Sequence, residues 1–369
     1  MLINIFVDIY SLQEKENFIM AKLQKKVIKE LSQSLYVPAY YKDYKKKDKI
    51  AKVAALIVTF NRKELLKKTI DSILNQTLKV DKLFIVNNAS TDGTDKFLIE
   101  IKNKYNNLIH VINLEENTGG SGGFSYGIKY IMDSKEIYDW IWLMDDDAFP
   151  EKFALEKMLK AYETLSFKKK DKIGVLQNEV TSNIEEISEH ELNKKCRLRK
   201  RDFAIFVGFL IKTDVVKKIG YPKKEYFIYF DDIEYGFRVK KYGYKMYTVV
   251  GSKIYHPFSN FVEIWVQILF YNETKNMDEK KIIKKYIFKK IDTDGWRLYY
   301  HFRNILLTFK EHKIKYLFAM MYIYYEIFIW NILDKTKVDF INLAIKDAKK
   351  NNIGKTITPG QKEIKEVEK

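Results

Sequence analysis

The hydrophobic pattern divides the chain near residue 50. Glu14–Leu35 reads as a polar helix and Tyr36–Lys49 as an irregular Tyr/Lys-rich stretch, so residues 1–50 are expected to be a partly helical N-terminal extension. Beyond it, short apolar runs alternate with longer amphipathic ones. Val53–Phe60, Lys82–Asn87, Leu108–Leu114 and Trp140–Met144 have the length and composition of buried strands. Arg62–Asn75 carries Leu65, Leu66, Ile70, Ile73 and Leu74 at helical spacing, and Asp95–Tyr105 and Phe124–Asp133 read as further helices. Asn88–Thr94 and the glycine-rich Thr118–Gly123 have turn chemistry. Strands and helices alternating at this length predict a parallel α/β sheet with helices on both faces. Later segments predict a helix after Pro150, strands near Gly174–Leu176, Ala204–Ile211 and Tyr244–Val250, and an acidic segment at Phe227–Arg238. The expected division is an extension over 1–50, an α/β domain over 51–260, and a mainly helical region over 261–369.

Composition narrows the classes. With 46% apolar and 31% charged residues in 369, the chain is not mostly disordered. The single cysteine, Cys196, excludes an internal disulfide and a cysteine-ligated zinc site, and fits a reducing compartment. Lys and Arg number 66 against 49 Asp and Glu, a net charge of +17. Such a charge suits nucleic acid, an anionic membrane surface or a phosphorylated substrate, or simply a solvated surface. Much of it lies in Lys168–Lys170, Lys194–Arg201 and Lys280–Lys290. No helix-turn-helix, zinc-finger or RNA-recognition signature accompanies it, so nucleic acid is not expected. Met1–Tyr10 is too short and lacks the basic lead of a secretory signal. Tyr316–Leu333 is the most hydrophobic stretch, but Glu326 and its many aromatic residues suit an interface better than a bilayer core. It is expected to lie on a bilayer or against the α/β domain.

Ligands of open α/β sheets collect at the carboxyl ends of the strands. Thr59, Asn61, Arg62, Asn88, Asn117 and Asp145–Asp147 all fall at such ends. Asp145-Asp146-Asp147 offers only oxygen ligands, which favour Mg²⁺ or Mn²⁺, and it would also serve as an exposed acidic turn. Asn117–Phe124, with Gly119 and Gly120, would let backbone approach an anionic ligand, or form a tight packed turn. Asp231-Asp232-Ile233-Glu234 could supply a general base or cap the helix that follows. His256 is a plausible third metal ligand beside the aspartates, or a structural histidine. His301 and Arg303, in Trp296–Asn304, could meet a diphosphate, or belong to an amphipathic core helix.

In order along the chain, VTFNR, NNASTDGT, NTGGSGGF, DDDA, FDDIEYGFR and YYHFRN resemble a family 2 glycosyltransferase. The resemblance spans about Val53 to Lys310, and the pairing of NTGGSGGF with DDDA is most similar to its galactofuranosyltransferase branch. It implies the nucleotide-sugar-binding GT-A fold, a Rossmann-like mixed sheet with helices on both faces. It implies a metal-dependent, inverting transfer of a sugar, galactofuranose from UDP-galactofuranose in that branch, to a glycan or lipid-linked glycan. It places Thr59, Asn61, Arg62, Asn88, Asn117 and the glycine loop at the nucleotide and acceptor, and Asp145, Asp147 and His256 at the metal. Asp146 would face the sugar or base, Asp232 would be the catalytic base with Asp231 beside it, and His301 would lie near the phosphates. The setting would be cell-surface polysaccharide synthesis at the cytoplasmic face of the membrane, with peripheral attachment. Competing readings are a rhamnosyl- or hexopyranosyltransferase on the same machinery, a nucleotidyltransferase, and a non-catalytic glycan- or membrane-binding protein.

Overall fold

The computed structural model describes residues 51–187, 196–257 and 293–364. The expected helix at Glu14–Leu35, the Lys280–Lys290 block and the start of the C-terminal region lie outside the described residues.

Nine strands form one sheet among the described residues. The parallel half is β3 (Ile109–Asn113), β2 (Lys82–Asn87), β1 (Val53–Thr59) and β4 (Trp140–Asp145), in that spatial order. The order continues through β8 (Phe209–Lys212), β6 (Ile173–Thr181), β9 (Lys245–Tyr255) and β5 (Phe149–Pro150), and β7 (Arg197–Arg201) also pairs with β9. The sheet is mixed, because β8 runs antiparallel to both β4 and β6. This corrects the all-parallel sheet expected from strand–helix alternation and agrees with what the resemblance implies.

Every residue of β1 is buried because helices cover both sides. Val53, Ala55 and Ile57 join one core, and Ala54, Leu56 and Val58 the other, as strand alternation demands. The first core receives Leu66, Ile70 and Ile73 of α1 (Lys63–Leu74) and Leu98 of α2 (Thr94–Lys104). The second receives Phe124, Ile128 and Ile131 of α3 (Gly119–Met132). A Cβ on Gly123 would sit 2.4 Å from the Val58 side chain, so α3 rests almost directly on β1. The helix therefore begins at Gly119, five residues before the expected Phe124.

Helices α4 (Ala154–Glu163), α5 (Phe167–Lys172), α6 (Thr213–Ile219) and α7 (Asp231–Lys241) flank the second half of the sheet. The expected strand at Ala204–Ile211 is only β8; residues 204–208 are irregular though Ala204, Phe206 and Val207 are buried. A third core gathers α8 (Gly295–Phe309), α9 (Lys313–Leu333) and α10 (Thr336–Lys350) around Tyr226, Phe227 and Phe230. That core carries the helical region onto the segment leading into α7.

Candidate active site

Three parallel strands end at one level. Thr59 is in register with Asn87, and Val58 with Asp145. Their continuing loops meet over the sheet edge. The Thr59 hydroxyl donates to Asp146 Oδ2 at 2.8 Å, and the Phe60 N–H reaches the same oxygen at 3.4 Å. Arg62 donates to Asp146 Oδ1 at 3.3 Å and to Asp147 Oδ2 at 2.8 Å. The Thr69 hydroxyl donates to the Asp146 carbonyl at 2.7 Å. Asp146 is thus the buried tie between the first loop and the acidic turn, with both carboxylate oxygens committed. The expectation that it faces the sugar or base is corrected on that ground.

Asn61 has φ +53, and its Oδ1 accepts from the Thr91 N–H at 2.7 Å, linking the first two loops. Asn88 joins the second loop to the third. Its amide donates to Asn117 Oδ1 and to the Gly119 carbonyl, and its Oδ1 accepts from the Thr118 N–H and hydroxyl. An aspartate could not donate to the Gly119 carbonyl, so the amide fits this joint. The joint also leaves the Asn88 side chain fully occupied within the protein. Gly119, at φ +73, lies where a Cβ would stand 1.9 Å from the Phe227 carbonyl oxygen, whereas a Cβ on Gly120 would meet nothing within 4 Å. Lys355, from the end of the chain, donates to the Asn117 carbonyl at 3.1 Å.

The two-residue strand β5 explains the metal-type cluster. Phe149 pairs with Tyr255, so the chain just after Asp147 is stapled beside the residue before His256. His256 Nε2 stands 3.1 Å from Asp147 Oδ1 and 3.8 Å from Asp145 Oδ2. One ligand atom from each of Asp145, Asp147 and His256 falls within 4.8 Å of the others. Enclosure by protein and the charge of Asp147 push the Asp145 carboxyl up to about 7. Enclosure also pushes Asp146 up to about 6, despite Arg62. Crowded carboxylates of this kind call for positive charge, and two carboxylates with an imidazole are a fitting donor set for Mn²⁺ or Mg²⁺. Enclosure opposes protonation of His256, but its bond to Asp147 and the two aspartate charges outweigh this and raise its pKa.

Asp231 and Asp232 open α7. Asp232 is held well above the usual carboxylate range by enclosure, by Asp231 and by Asp145. Enclosure pushes Asp231 up to about 6. The approach to them is strained: Phe227, Tyr229 and Phe230 all have positive φ, at 65°, 68° and 65°. Backbone in this state persists only when something holds it. Asn304 does so, its amide donating to the carbonyls of Tyr226, Ile228 and Tyr229 at 2.8–3.0 Å.

Arg303 shares that task. It is fully buried, and its guanidinium donates to the carbonyls of Gly354, Glu225 and Tyr226 at 2.7–3.2 Å. The expected diphosphate contact is corrected: its donors hold the loop that aims Asp232. His301 is likewise buried, ringed by Phe230, Phe302, Tyr229 and Tyr322, and burial lowers its pKa to about 3. The structure sets His301 in the helical region, in ring contact with Phe230 at the approach to α7. Sequence reading missed Asn304 and also Glu151. The latter forms a fully buried pair with Lys157 at 2.8 Å, and its Oε1 accepts from the Lys253 N–H. The only signal for Glu151 was an acid four residues after Asp147.

The comparisons agree with this geometry. Residues 54–220 match the sequence profile of glycosyl transferase family 2. The chain is 26% identical over 224 residues to the galactofuranosyltransferase GlfT1 of Mycolicibacterium smegmatis, covering 56% of this chain and 70% of that one. It is 37% identical over 117 residues to the uncharacterized glycosyltransferase YwdF of Bacillus subtilis, covering 31% and 40% respectively. Among solved structures, the mannosyltransferase PcManGT of Pyrobaculum calidifontis, in complex with GDP-Man and Mn²⁺, superposes with a TM-score of 0.50 at 15% identity. That match covers 90% of this chain and 84% of the other. The mixed sheet, the acidic turn with His256 and the profile match converge: residues 54–220 match glycosyl transferase family 2, in a chain that shares the GT-A fold of the solved mannosyltransferase.

Proposed function

We propose that the protein transfers galactofuranose from UDP-galactofuranose to a glycan or lipid-linked glycan in cell-surface polysaccharide synthesis, inverting the anomeric centre. One observation carries the reaction type. The Asp145–Asp147–His256 cluster lies at the carboxyl end of β4, and Asp231 and Asp232 open α7 just after Phe227, whose carbonyl accepts from the Ser121 N–H of the glycine loop at 3.1 Å. The galactofuranose donor is supported by the NTGGSGGF and DDDA segments and by the similarity to a relative named for that activity.

In this reading the Thr59–Arg62 loop and the backbone at Asn88, Asn117, Gly119 and Gly120 receive the nucleotide. Asp145, Asp147 and His256 would hold Mn²⁺ or Mg²⁺, which would supply positive charge against the leaving diphosphate. Asp232 accepts the proton of the acceptor hydroxyl while that oxygen bonds to the anomeric carbon and the carbon–diphosphate bond breaks. Attack from the face opposite the leaving group inverts the centre in one displacement, so no nucleophilic Ser or Cys is needed. Enclosure and the neighbouring carboxylates raise the pKa of Asp232, which makes it a stronger base than a free carboxylate. Asp231 orients Asp232 or the acceptor. The enzyme works at the cytoplasmic face of the cell membrane, where nucleotide sugars are made, as a peripheral protein.

The test is a panel of nucleotide sugars with Mn²⁺, reading released nucleoside diphosphate. Turnover with UDP-galactofuranose is expected. Turnover with dTDP-rhamnose or a UDP-pyranose alone would reassign the donor and leave the reaction class standing. Release undiminished by excess EDTA would remove the metal from the reaction.

A further inference from the structure

Helix α9 is mostly apolar, and the described residues bury one side of it. Ala319, Tyr322, Ile323, Glu326 and Trp330 are buried in the helical core. On the opposite side Ile314, Leu317, Phe318, Met321, Phe328 and Ile332 stand 43–73% exposed. With Tyr324 and Tyr325, also exposed, bridging Met321 to Phe328, helical spacing sets them in one stripe about 27 Å long. A contiguous apolar stripe of this length marks a contact surface.

We propose that the outer face of α9 lies in the plane of an anionic bilayer, among the lipid headgroups. Three features select this occupant. The stripe mixes aliphatic side chains with Phe and Tyr, the composition of a helix resting at an interface. Exposed Lys310 and Lys313 stand at one end and Lys335 at the other, and neither Lys313 nor Lys335 has an ion-pair partner among the described residues. The chain as a whole carries +17, which draws it to anionic lipid. Spanning is disfavoured by the same geometry, because insertion would pull the inner face from α8 and α10 and carry buried Glu326 into hydrocarbon. From α9, ring contacts run inward through Tyr322 and His301 to Phe230, the residue before Asp231. Docking would therefore seat the catalytic edge close to the membrane. That consequence rests on the functional reading above; the docking itself does not.

The experiment is co-sedimentation of the full chain with vesicles of phosphatidylcholine alone or with phosphatidylglycerol, at low and high salt. Binding to the anionic vesicles, weakened by salt, is expected. Leu317→Glu, Met321→Glu and Phe328→Glu together should cut the bound fraction at least about tenfold, since each removes a large apolar contact. Donor hydrolysis in solution should stay unchanged and shows that the variant is folded. Cys196 is buried, so a cysteine introduced at Met321 can carry an environment-sensitive dye that shifts to the blue on binding. Full recovery in the supernatant would overturn the proposal. So would a dye already shielded without lipid, whether in a dimer, which assigns the stripe to a second copy, or in a monomer, which assigns it to another part of the chain. Equal binding to neutral vesicles would overturn the anionic requirement. Loss of donor hydrolysis in the wild type, with binding intact, would count against the functional reading and not against the docking.

Discussion

The Thr59 hydroxyl and the Asp146 carboxylate, 87 positions apart, meet at 2.8 Å in the interior of the protein. That bond ties the end of β1 to the acidic turn after β4. Thr59→Val keeps the side-chain shape and leaves a buried carboxylate oxygen short of a donor. Loss of about 1–3 kcal/mol of stability is expected, read as a lower midpoint in urea unfolding. A variant as stable as wild type would show that the two loops hold together without this bond.

Asp145→Ala and Asp147→Ala should each abolish transfer and the response to metal. In wild type, Mn²⁺ binds the folded state and should raise the thermal midpoint. In either variant the midpoint should not move with millimolar Mn²⁺. A full Mn²⁺ response in both would place the metal elsewhere.

Asp232→Asn should lose transfer, by about 10²–10⁴-fold for a missing base, while donor binding persists. The stability effect has the opposite sign. Asp232 has a folded pKa raised well above its ordinary 3.8, so the folded state binds the extra proton. Stability is therefore greatest below 3.8 and declines as pH rises from there to the raised value. At pH 7 the amide removes that penalty, and the variant should melt higher than wild type. For wild type, transfer should fall on acidification at a pH above the usual carboxylate range. A variant that keeps transfer but loses donor binding would make Asp232 a binding residue.

Arg303→Lys tests the clamp on the strained loop. A lysine cannot reach the carbonyls of Gly354, Glu225 and Tyr226 together, and about 2–4 kcal/mol of stability should be lost. If Arg303 met the diphosphate instead, the donor KM would rise with no change in melting.

The parallel half of the sheet and the acidic turn were legible in the sequence, because apolar runs of strand length ended in carboxylates and amides. Three things were not. The start of α3 was hidden by glycines, which argue against a helix locally and are required by contact with Val58 and Phe227. The irregular stretch before β8 was hidden because burial alone makes a loop look like a strand. There Gly208, at φ +70, turns the chain against Asn178. The roles of Arg303 and Asn304 were hidden because their partners are backbone carbonyls some 75–78 positions away. A cation and an amide on a helix read as ligand contacts until the strained loop beneath them is seen.

The Glu151–Lys157 pair constrains how the family can drift. Both side chains are almost wholly inaccessible, and the lysine also caps the Gly251 carbonyl at 3.0 Å, on the strand that delivers His256. Losing either partner alone strands a charge in the interior at a cost of about 3–5 kcal/mol, and replacing both with apolar residues removes the charge but takes a partner from the Gly251 carbonyl and the Lys253 N–H. Single-step mutational paths through this pair are closed. Across homologous sequences the two positions should change together or not at all, a covariation that needs no contact with substrate to be enforced.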